Sequence, residues 1–242
     1  MTVGVVIVTY NRIKLLKECV SRVLNQSRPV DAVIVVNNNS NDGTKEYLDS
    51  INDDRVIVSH ESTNLGGAGG FHRALSIASA KKLGMVLIID DDAMIERSYI
   101  GKILDFASKN PKYNAYAGAV YTEGKIDTYH RRRLGSKLIF WEKMIPEKMY
   151  DKPRRIDLAT FCGLVIRGSE LRRIGLPSSE YFIWSTNQII ARERLSKHLF
   201  IDATFHHPIE YQQLLIIIFK DILTYEYYPG FFILMSNKTE IL

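Results

Sequence analysis

Met85-Val86-Leu87-Ile88-Ile89-Asp90-Asp91-Asp92 decides how this chain is read: an apolar run the length of one buried strand ends in three consecutive carboxylates. A parallel strand covered on both faces is continuously hydrophobic, and ligands of open α/β sheets gather beyond the carboxyl ends of such strands. Three adjacent acids repel one another unless a cation neutralises them. A hard divalent ion, Mg²⁺ or Mn²⁺, carrying a substrate diphosphate meets that need with oxygen ligands. The same run also suits a solvated turn that caps the next helix. The surrounding sequence has to decide.

Just upstream, Asn64-Leu65-Gly66-Gly67-Ala68-Gly69-Gly70-Phe71 leads into an apolar helix through Leu75, Ile77 and Ala78. Glycines ahead of a helix let the backbone approach a ligand and offer N–H groups to an anion, although a flexible turn would use them equally well. Downstream, Ile95, Tyr99, Ile100, Ile103, Leu104 and Phe106 share a helical face. At the N-terminus the β-branched run Val3 to Val8 ends in Thr9-Tyr10-Asn11-Arg12, and Leu15, Leu16, Cys19, Val20, Val23 and Leu24 follow at helical spacing. A second strand, Ala32 to Val36, closes in Asn37-Asn38-Asn39-Ser40-Asn41-Asp42-Gly43-Thr44. That cluster is turn chemistry, with Asp42 or Thr44 available to cap a helix from about Lys45. Arg55 to Ser59 reads as a third strand. Strand and helix thus alternate over residues 3–108, which predicts an α/β fold with a mostly parallel sheet and helices on both faces.

Beyond residue 110 the pattern is less regular. Ala115 to Tyr121, Ile156 to Ile166 and Phe200 to Phe205 read as strands, Glu170 to Ile174 and residues 188–198 as helices. Residues 124–155 hold ten basic side chains against four acids, with Tyr129, Phe140, Trp141 and Tyr150 interleaved. Most of this reads as a solvated, partly mobile loop; the alternative is contact with an anionic acceptor or an anionic membrane face. From Tyr211 the chain is apolar and aromatic, either a packing helix or an interfacial one, and Lys220 weighs slightly against the membrane.

Composition bounds the function. At 242 residues, 46% hydrophobic and 24% charged, the chain suits one α/β domain with a sizeable core. A net charge of +5 does not imply a nucleic-acid partner. Cys19 and Cys162 stand too far apart in sequence to suggest a zinc site or a disulfide framework, which suits a reducing cytosol. The first residues enter a strand without an apolar signal core, and no run reaches the ~20 apolar residues of a membrane span.

Four polar clusters (Thr9 to Arg12, Asn37 to Asn41, Asn64 to Gly70, Asp90 to Asp92) therefore fall at the carboxyl ends of four predicted strands. Together they describe a nucleotide site at a sheet edge. A dinucleotide dehydrogenase would carry its glycine fingerprint directly after the first strand, where Tyr10-Asn11-Arg12 stands here. A nucleotidyltransferase would need a glycine-rich basic loop for a triphosphate at the same place.

These residues resemble the inverting family 2 glycosyltransferases of GT-A fold, across residues 3–110 and less closely 158–184. Val5-Val6-Ile7-Val8-Thr9-Tyr10-Asn11-Arg12 looks like the family's opening strand and base-binding turn, and Val35 to Thr44 is similar to its second-strand motif. Asp90-Asp91-Asp92 stands at its DxD metal motif, and the glycine loop is most similar to bacterial rhamnosyl- and galactofuranosyltransferases of cell-wall, capsule and surface polysaccharide biosynthesis. The resemblance implies a UDP- or dTDP-linked sugar donor, a saccharide or lipid-linked acceptor, inversion, Mg²⁺ or Mn²⁺, no nucleic acid, and a cytoplasmic protein with peripheral contact to the inner membrane face. It implies a donor-binding half at 1–110, an acceptor-side half of the same domain at 111–210, and a tail at 211–242. Thr9 and Asn11 would hold base or ribose, Asn37 the base, Asp90 the ribose, Asp92 the metal, and His207 or its neighbour His206 metal or diphosphate. Arg12, Asn39, Asn64, Gly66, Gly67, Gly69, Asp91, Cys162, Gly163 and Trp184 complete the implied substrate contacts, with Asp90 also a metal ligand.

Two positions depart from the family pattern. Asn37 replaces the usual aspartate, and the segment after Tyr181-Phe182-Ile183-Trp184 offers Ser185, Thr186 and Asn187 where relatives place a catalytic carboxylate. None of these three ionises to a base near neutral pH. Glu180 and Glu193 are the nearest acids. The sequence therefore supports a working transferase with a displaced base, or a sugar-nucleotide-binding homologue that lacks one.

Overall fold

The computed structural model describes residues 1–134, 142–179, 189–190 and 199–202. Four parallel strands form the frame: β1 (Val3–Thr9), β2 (Ala32–Asn37), β3 (Val56–His60) and β4 (Met85–Asp90). Between and after them run α1 (Ile13–Leu24), α2 (Thr44–Asp49), α3 (Gly66–Ala80) and α4 (Tyr99–Lys109). Successive strand side chains point to opposite faces. Val6, Val8, Ile34, Val36, Val86 and Ile88 therefore pack under Phe71, Ala74, Leu75 and Ala78 of α3. Val5, Ile7, Val33, Val35, Leu87 and Ile89 pack on the other side with Leu16, Val20 and Val23 of α1 and Tyr99, Ile100 and Ile103 of α4. Both faces are covered, which is why these strands read as unbroken apolar runs.

The second half of the chain extends the same sheet. β5 (Ala115–Gly118) is followed by a short hairpin, β6 (Tyr121–Thr122) and β7 (Lys125–Ile126), then β8 (Arg131–Leu134) and β9 (Glu142–Met144). β10 (Arg154–Ile156), β11 (Leu158–Ala159), β12 (Leu164–Arg167), α5 (Gly168–Ile174), β13 (Ile189–Ile190) and β14 (Leu199–Asp202) complete the described elements. The large sheet has eight strands in the order β10-β14-β5-β12-β4-β1-β2-β3, and β13-β11-β8-β9 form a second, small sheet. β12 lies antiparallel between β4 and β5, while β14 is parallel to β5. No helix among the described residues is long and apolar enough to cross a membrane.

Several expectations change. The predicted strand Ile156 to Ile166 is three pieces, because β10 pairs in the large sheet, β11 in the small one, and β12 returns to the large sheet. The return follows Gly163, whose φ of 75° is a left-handed turn that favours glycine. Ala115 to Tyr121 likewise divides into β5 and β6. The glycines predicted to precede a helix lie inside α3, which begins at Gly66. The predicted helix at 188–198 gives way at Ile189–Ile190 to a strand that pairs with Leu158–Ala159. The basic stretch is not simply a solvated loop, since Arg131 is completely buried and Arg132 nearly so. Residues 211–242 lie outside the described residues.

The path of the chain fixes where a ligand can go. From β1 it moves outward to β2 and β3, then returns past β1 to β4 on its other side. Strand order reverses between β1 and β4, and crevices in open α/β sheets form at such switch points beyond the carboxyl ends of the strands. Registers align those ends: Thr9 lies opposite Asn37, Asn37 opposite His60, and Val8 opposite Asp90.

The entrance to β4 is held by a close backbone approach. Gly168 N donates to Gly84 O at 2.9 Å, and a Cβ on Gly168 would sit 1.8 Å from Leu83 O. Backbone cannot yield as a side-chain tip can, so Gly168→Ala is expected to lower the unfolding free energy by about 2 kcal/mol or more in urea titrations.

Candidate donor-binding site

The turn after β1 reaches over the acids at the end of β4. Thr9 Oγ1 donates to Asp91 Oδ2 at 2.7 Å, and both side chains are buried. Arg12 Nη1 bridges Asp91 Oδ1 at 3.2 Å and Asp92 Oδ2 at 2.8 Å. The third acid, Asp90, accepts a weak bond from the Cys162 thiol, with Sγ to Oδ2 at 3.4 Å. Cys162 arrives there because β12 pairs with β4, placing the turn before Leu164 beside the end of the acid-bearing strand.

Charge dominates this corner. Among the described residues three carboxylates face one guanidinium, and burial makes the imbalance costly. Burial, then the charges of Asp92 and Asp91, push Asp90 from the ordinary 3.8 up to about 8. Burial likewise raises Asp91 to about 6, against the opposing pull of Thr9 and Arg12. Burial works against the Arg12 charge, but Asp91 and Asp92 outweigh it and raise its pKa. Among the described residues the carboxylates of this corner thus outnumber the cations, an imbalance that a further cation would relieve.

The neighbouring turns are tied to each other rather than to the acids. Asn11, in the left-handed region at φ 53°, donates its N–H to Ser40 Oγ at 2.9 Å and accepts from Asn41 N at 2.8 Å. Asn39 is also left-handed, at φ 60°. Asn37 Oδ1 accepts from Ser40 N, and its Nδ2 meets His60 Nδ1 at 3.0 Å, while His60 Nε2 meets Asp49 Oδ1 at 2.9 Å. Asp42 accepts from Ile13 N at the start of α1 and from Thr44 N at the start of α2, so one carboxylate secures two helices. Asn38 Nδ2 donates to Gly66 O, and Asn64 Oδ1 accepts from Gly66 N. This brings the glycine segment to the same edge. Of its glycines, Gly70 permits close helix–strand packing, since a Cβ there would lie 2.5 Å from Val8 Cγ1, and one on Gly69 would meet Leu65 Cβ at 2.6 Å.

Thus Thr9, Arg12, Asp90, Asp91, Asp92 and Cys162 form one cluster, with Asn11, Asn37 and Asn39 beside it and Asn64 and Gly66 linked through Asn38. Gly67 follows in the first turn of α3. Gly163 joins through its carbonyl, which accepts from Tyr99 Oη. Glu180, Trp184, Glu193, His206 and His207 lie outside the described residues. Sequence reasoning missed three supports. His60 is visible only once β2 and β3 are in register. Tyr99 reads as one more apolar residue of α4, yet its hydroxyl also accepts from Gly118 N. Arg131, hidden in a basic run, donates to the carbonyls of Gly118, His130 and Cys162 at 2.9, 2.8 and 2.6 Å.

Among the described residues no group of three or more His, Cys, Asp or Glu closes around a common point. The donor set nevertheless fits a hard cation that arrives with its ligand. Magnesium-type ions are held by one or two carboxylates plus substrate phosphates, and Asp90 and Asp92 would be the carboxylates to hold one here.

The raised acids set a pH dependence. A carboxyl whose folded pKa exceeds its unfolded value holds its proton in the folded protein after the unfolded chain has released it. Stability from Asp90 and Asp91 is therefore fullest below about pH 4 and is lost as pH rises towards about pH 8. In divalent-free buffer, thermal melts should show Asp90→Asn gaining on the native protein as pH rises through this window. Parallel profiles would refute the assignment.

The chain resembles known proteins over the region just described. The family model for glycosyl transferase family 2 matches residues 4–167. Glycosyltransferase GlyG of Streptococcus pneumoniae is 30% identical over 100 residues, covering 40% of this chain and 32% of that protein. An uncharacterized glycosyltransferase of Haemophilus influenzae is 29% identical over 115 residues, 47% of this chain and 35% of its own length. The matches therefore span about a third of these relatives. Among solved structures, S. aureus TarS 1-349 in complex with UDP superposes with a TM-score of 0.60 at 16% identity, over 88% of this chain and 61% of that TarS 1-349 chain. A second structure of S. aureus TarS 1-349 gives 0.56 at 17% identity, over 83% of this chain and 58% of that one. At such identities the superpositions speak for the fold, which is that of the GT-A enzymes. With the family match running from β1 to the end of β12, the chain belongs to glycosyl transferase family 2.

Proposed function

We propose that the protein moves a sugar from a nucleoside diphosphate donor to a hydroxyl of a saccharide or lipid-linked saccharide, with inversion at the anomeric carbon. One observation carries this reading: Thr9, Arg12, Asn37 and the three acids converge at the switch point between β1 and β4. In this assignment the 1–110 half binds the donor, and the acceptor enters beside the Cys162–Gly163 turn in the 111–210 half. Asn11 and Asn37 face the base, Asp90 the ribose, and Asp92 the diphosphate end. A divalent cation, held with the donor by Asp90 and Asp92, supplies positive charge against the charge that grows on the departing diphosphate.

The chain's own groups divide the remaining work. Thr9 fixes the orientation of Asp91, and Asp91 and Asp92 orient Arg12. The Cys162 thiol steadies one oxygen of Asp90 and leaves the other for a donor hydroxyl. Glu180 and Glu193 are the acids available to take the acceptor proton, a step that needs a carboxylate within hydrogen-bond reach of the attacking hydroxyl. A uridine or thymidine donor is our assignment, and the TarS complex with UDP supports the first. Rhamnose and galactofuranose are the sugars we favour, from the glycine segment. We place the acceptor at the inner face of the cell membrane.

A second reading, a donor-binding module without transfer activity, is favoured by Ser185, Thr186 and Asn187 at the place where relatives carry the base. Calorimetric titration of UDP and dTDP with and without Mn²⁺, followed by turnover of the matching sugar nucleotides, separates the two. Metal-dependent binding with turnover supports the transferase, and Asp92→Asn should then cut turnover about 100-fold or more. Binding without turnover, acceptor present, supports the module. Absence of nucleotide binding would defeat both.

A further inference from the structure

We infer that Arg12 is a displaceable internal counter-ion, which keeps Asp92 closed to a divalent cation until a diphosphate draws its guanidinium away. The inference rests on the donor-site reading above and adds an order to it. The acids lie deep, with side chains 4% and 9% exposed, whereas Arg12 reaches them from the solvent side at 28%. A single nitrogen, Nη1, bridges both carboxylates, so one movement of the guanidinium releases the two acids together. The turn does not need this pairing for its shape, because Asp42 already binds Ile13 N at the start of α1.

The competition is electrostatic. A divalent ion that uses Asp92 without a nucleotide must approach a fixed positive charge 2.8 Å from the same carboxylate oxygen. Like charges at that range oppose binding strongly in a partly buried site. A diphosphate changes the balance twice. Its oxygens suit a guanidinium as well as a carboxylate does, and its negative charge screens Arg12 from the incoming cation. Metal and nucleotide must then tighten each other's binding by the same factor. Arg12 thereby guards against loading by metal alone and makes a donor-bearing site the one that holds metal.

The test is Mn²⁺ binding to the nucleotide-free protein, followed by electron paramagnetic resonance, for the native chain, Arg12→Gln and Arg12→Lys. Arg12→Gln should bind free Mn²⁺ about tenfold or more tightly than the native chain, because the competing charge is gone. Arg12→Lys keeps the charge and should stay near native. UDP should tighten Mn²⁺ binding by a larger factor in the native chain than in Arg12→Gln. Equal nucleotide-free affinities in native and Arg12→Gln protein would overturn the inference, as would Arg12→Lys behaving like Arg12→Gln. A native-chain measurement guards against misfolded variants: the Arg12 Nε–H resonance should move on adding UDP alone and stay in place on adding Mg²⁺ alone, and the reverse would also overturn it. Calorimetry of UDP on the native chain distinguishes the failures. If UDP binds while the Mn²⁺ affinities are equal, the counter-ion idea falls alone; if UDP does not bind, the donor site falls with it.

Discussion

Three carboxylates and one guanidinium at the end of β4 are the constraint on which this structure turns. Asp90, Asp91 and Asp92 cannot all be ionised in a covered corner without a partner, and the fold responds in three different ways. Asp91 is buried against Thr9 and Arg12. Asp92 is paired with Arg12. Asp90 rests against a thiol, which compensates a charge poorly, and it keeps its proton well above the ordinary range. Adjacent residues of the same type are thus given separate tasks by their surroundings. The remaining imbalance among the described residues is what the proposed cation would relieve.

That corner exists because of the sheet. Parallel registers bring Thr9, Asn37, His60 and Asp90 to one edge, and strand order reverses between β1 and β4, the place where open α/β sheets form their crevices. The apolar interior supplies stability on both faces, so the edge can hold strained turns at Asn11 and Asn39 and a charge imbalance that would not be tolerated inside. Asp42, binding the first turns of α1 and α2 together, transmits the rigidity of the sheet to the loops at its carboxyl edge.

The second half of the chain is built on a different principle. Arg131 is fully buried and gives its hydrogen bonds to backbone carbonyls, two of them on the Gly118 and Cys162 turns. Tyr99 binds the same pair of turns from the opposite helix layer, through Gly118 N and Gly163 O. Arg131 joins the small sheet to the large one, and the two side chains together hold the Cys162–Gly163 turn whose thiol meets Asp90. Segments that look irregular in sequence are therefore ordered by non-local bonds to main-chain oxygens, each a buried acceptor that would be costly to leave unmet.

The first half of the fold was legible in the sequence because its signals are local. Uninterrupted apolar runs, helical spacing and polar clusters at strand ends need only neighbouring residues, and they placed β1 to β4, α1 to α4 and the acids of the site. What sequence could not supply was pairing. Whether 156–166 stays in one sheet or passes between two depends on partners far away in sequence, such as Arg132 opposite Leu158 and Ile88 opposite Leu164. Whether an arginine among ten basic residues is solvated or buried depends on the carbonyls that surround it, which is why Arg131 read as surface and is core. The glycine segment read as a phosphate-approaching turn, yet Gly70 is demanded by Val8 across the helix–strand contact. Residue types and spacing determined the chemistry this chain carries. Tertiary structure alone decided which acid is paired and which is not, because charge compensation is a property of distance and burial rather than of order along the chain.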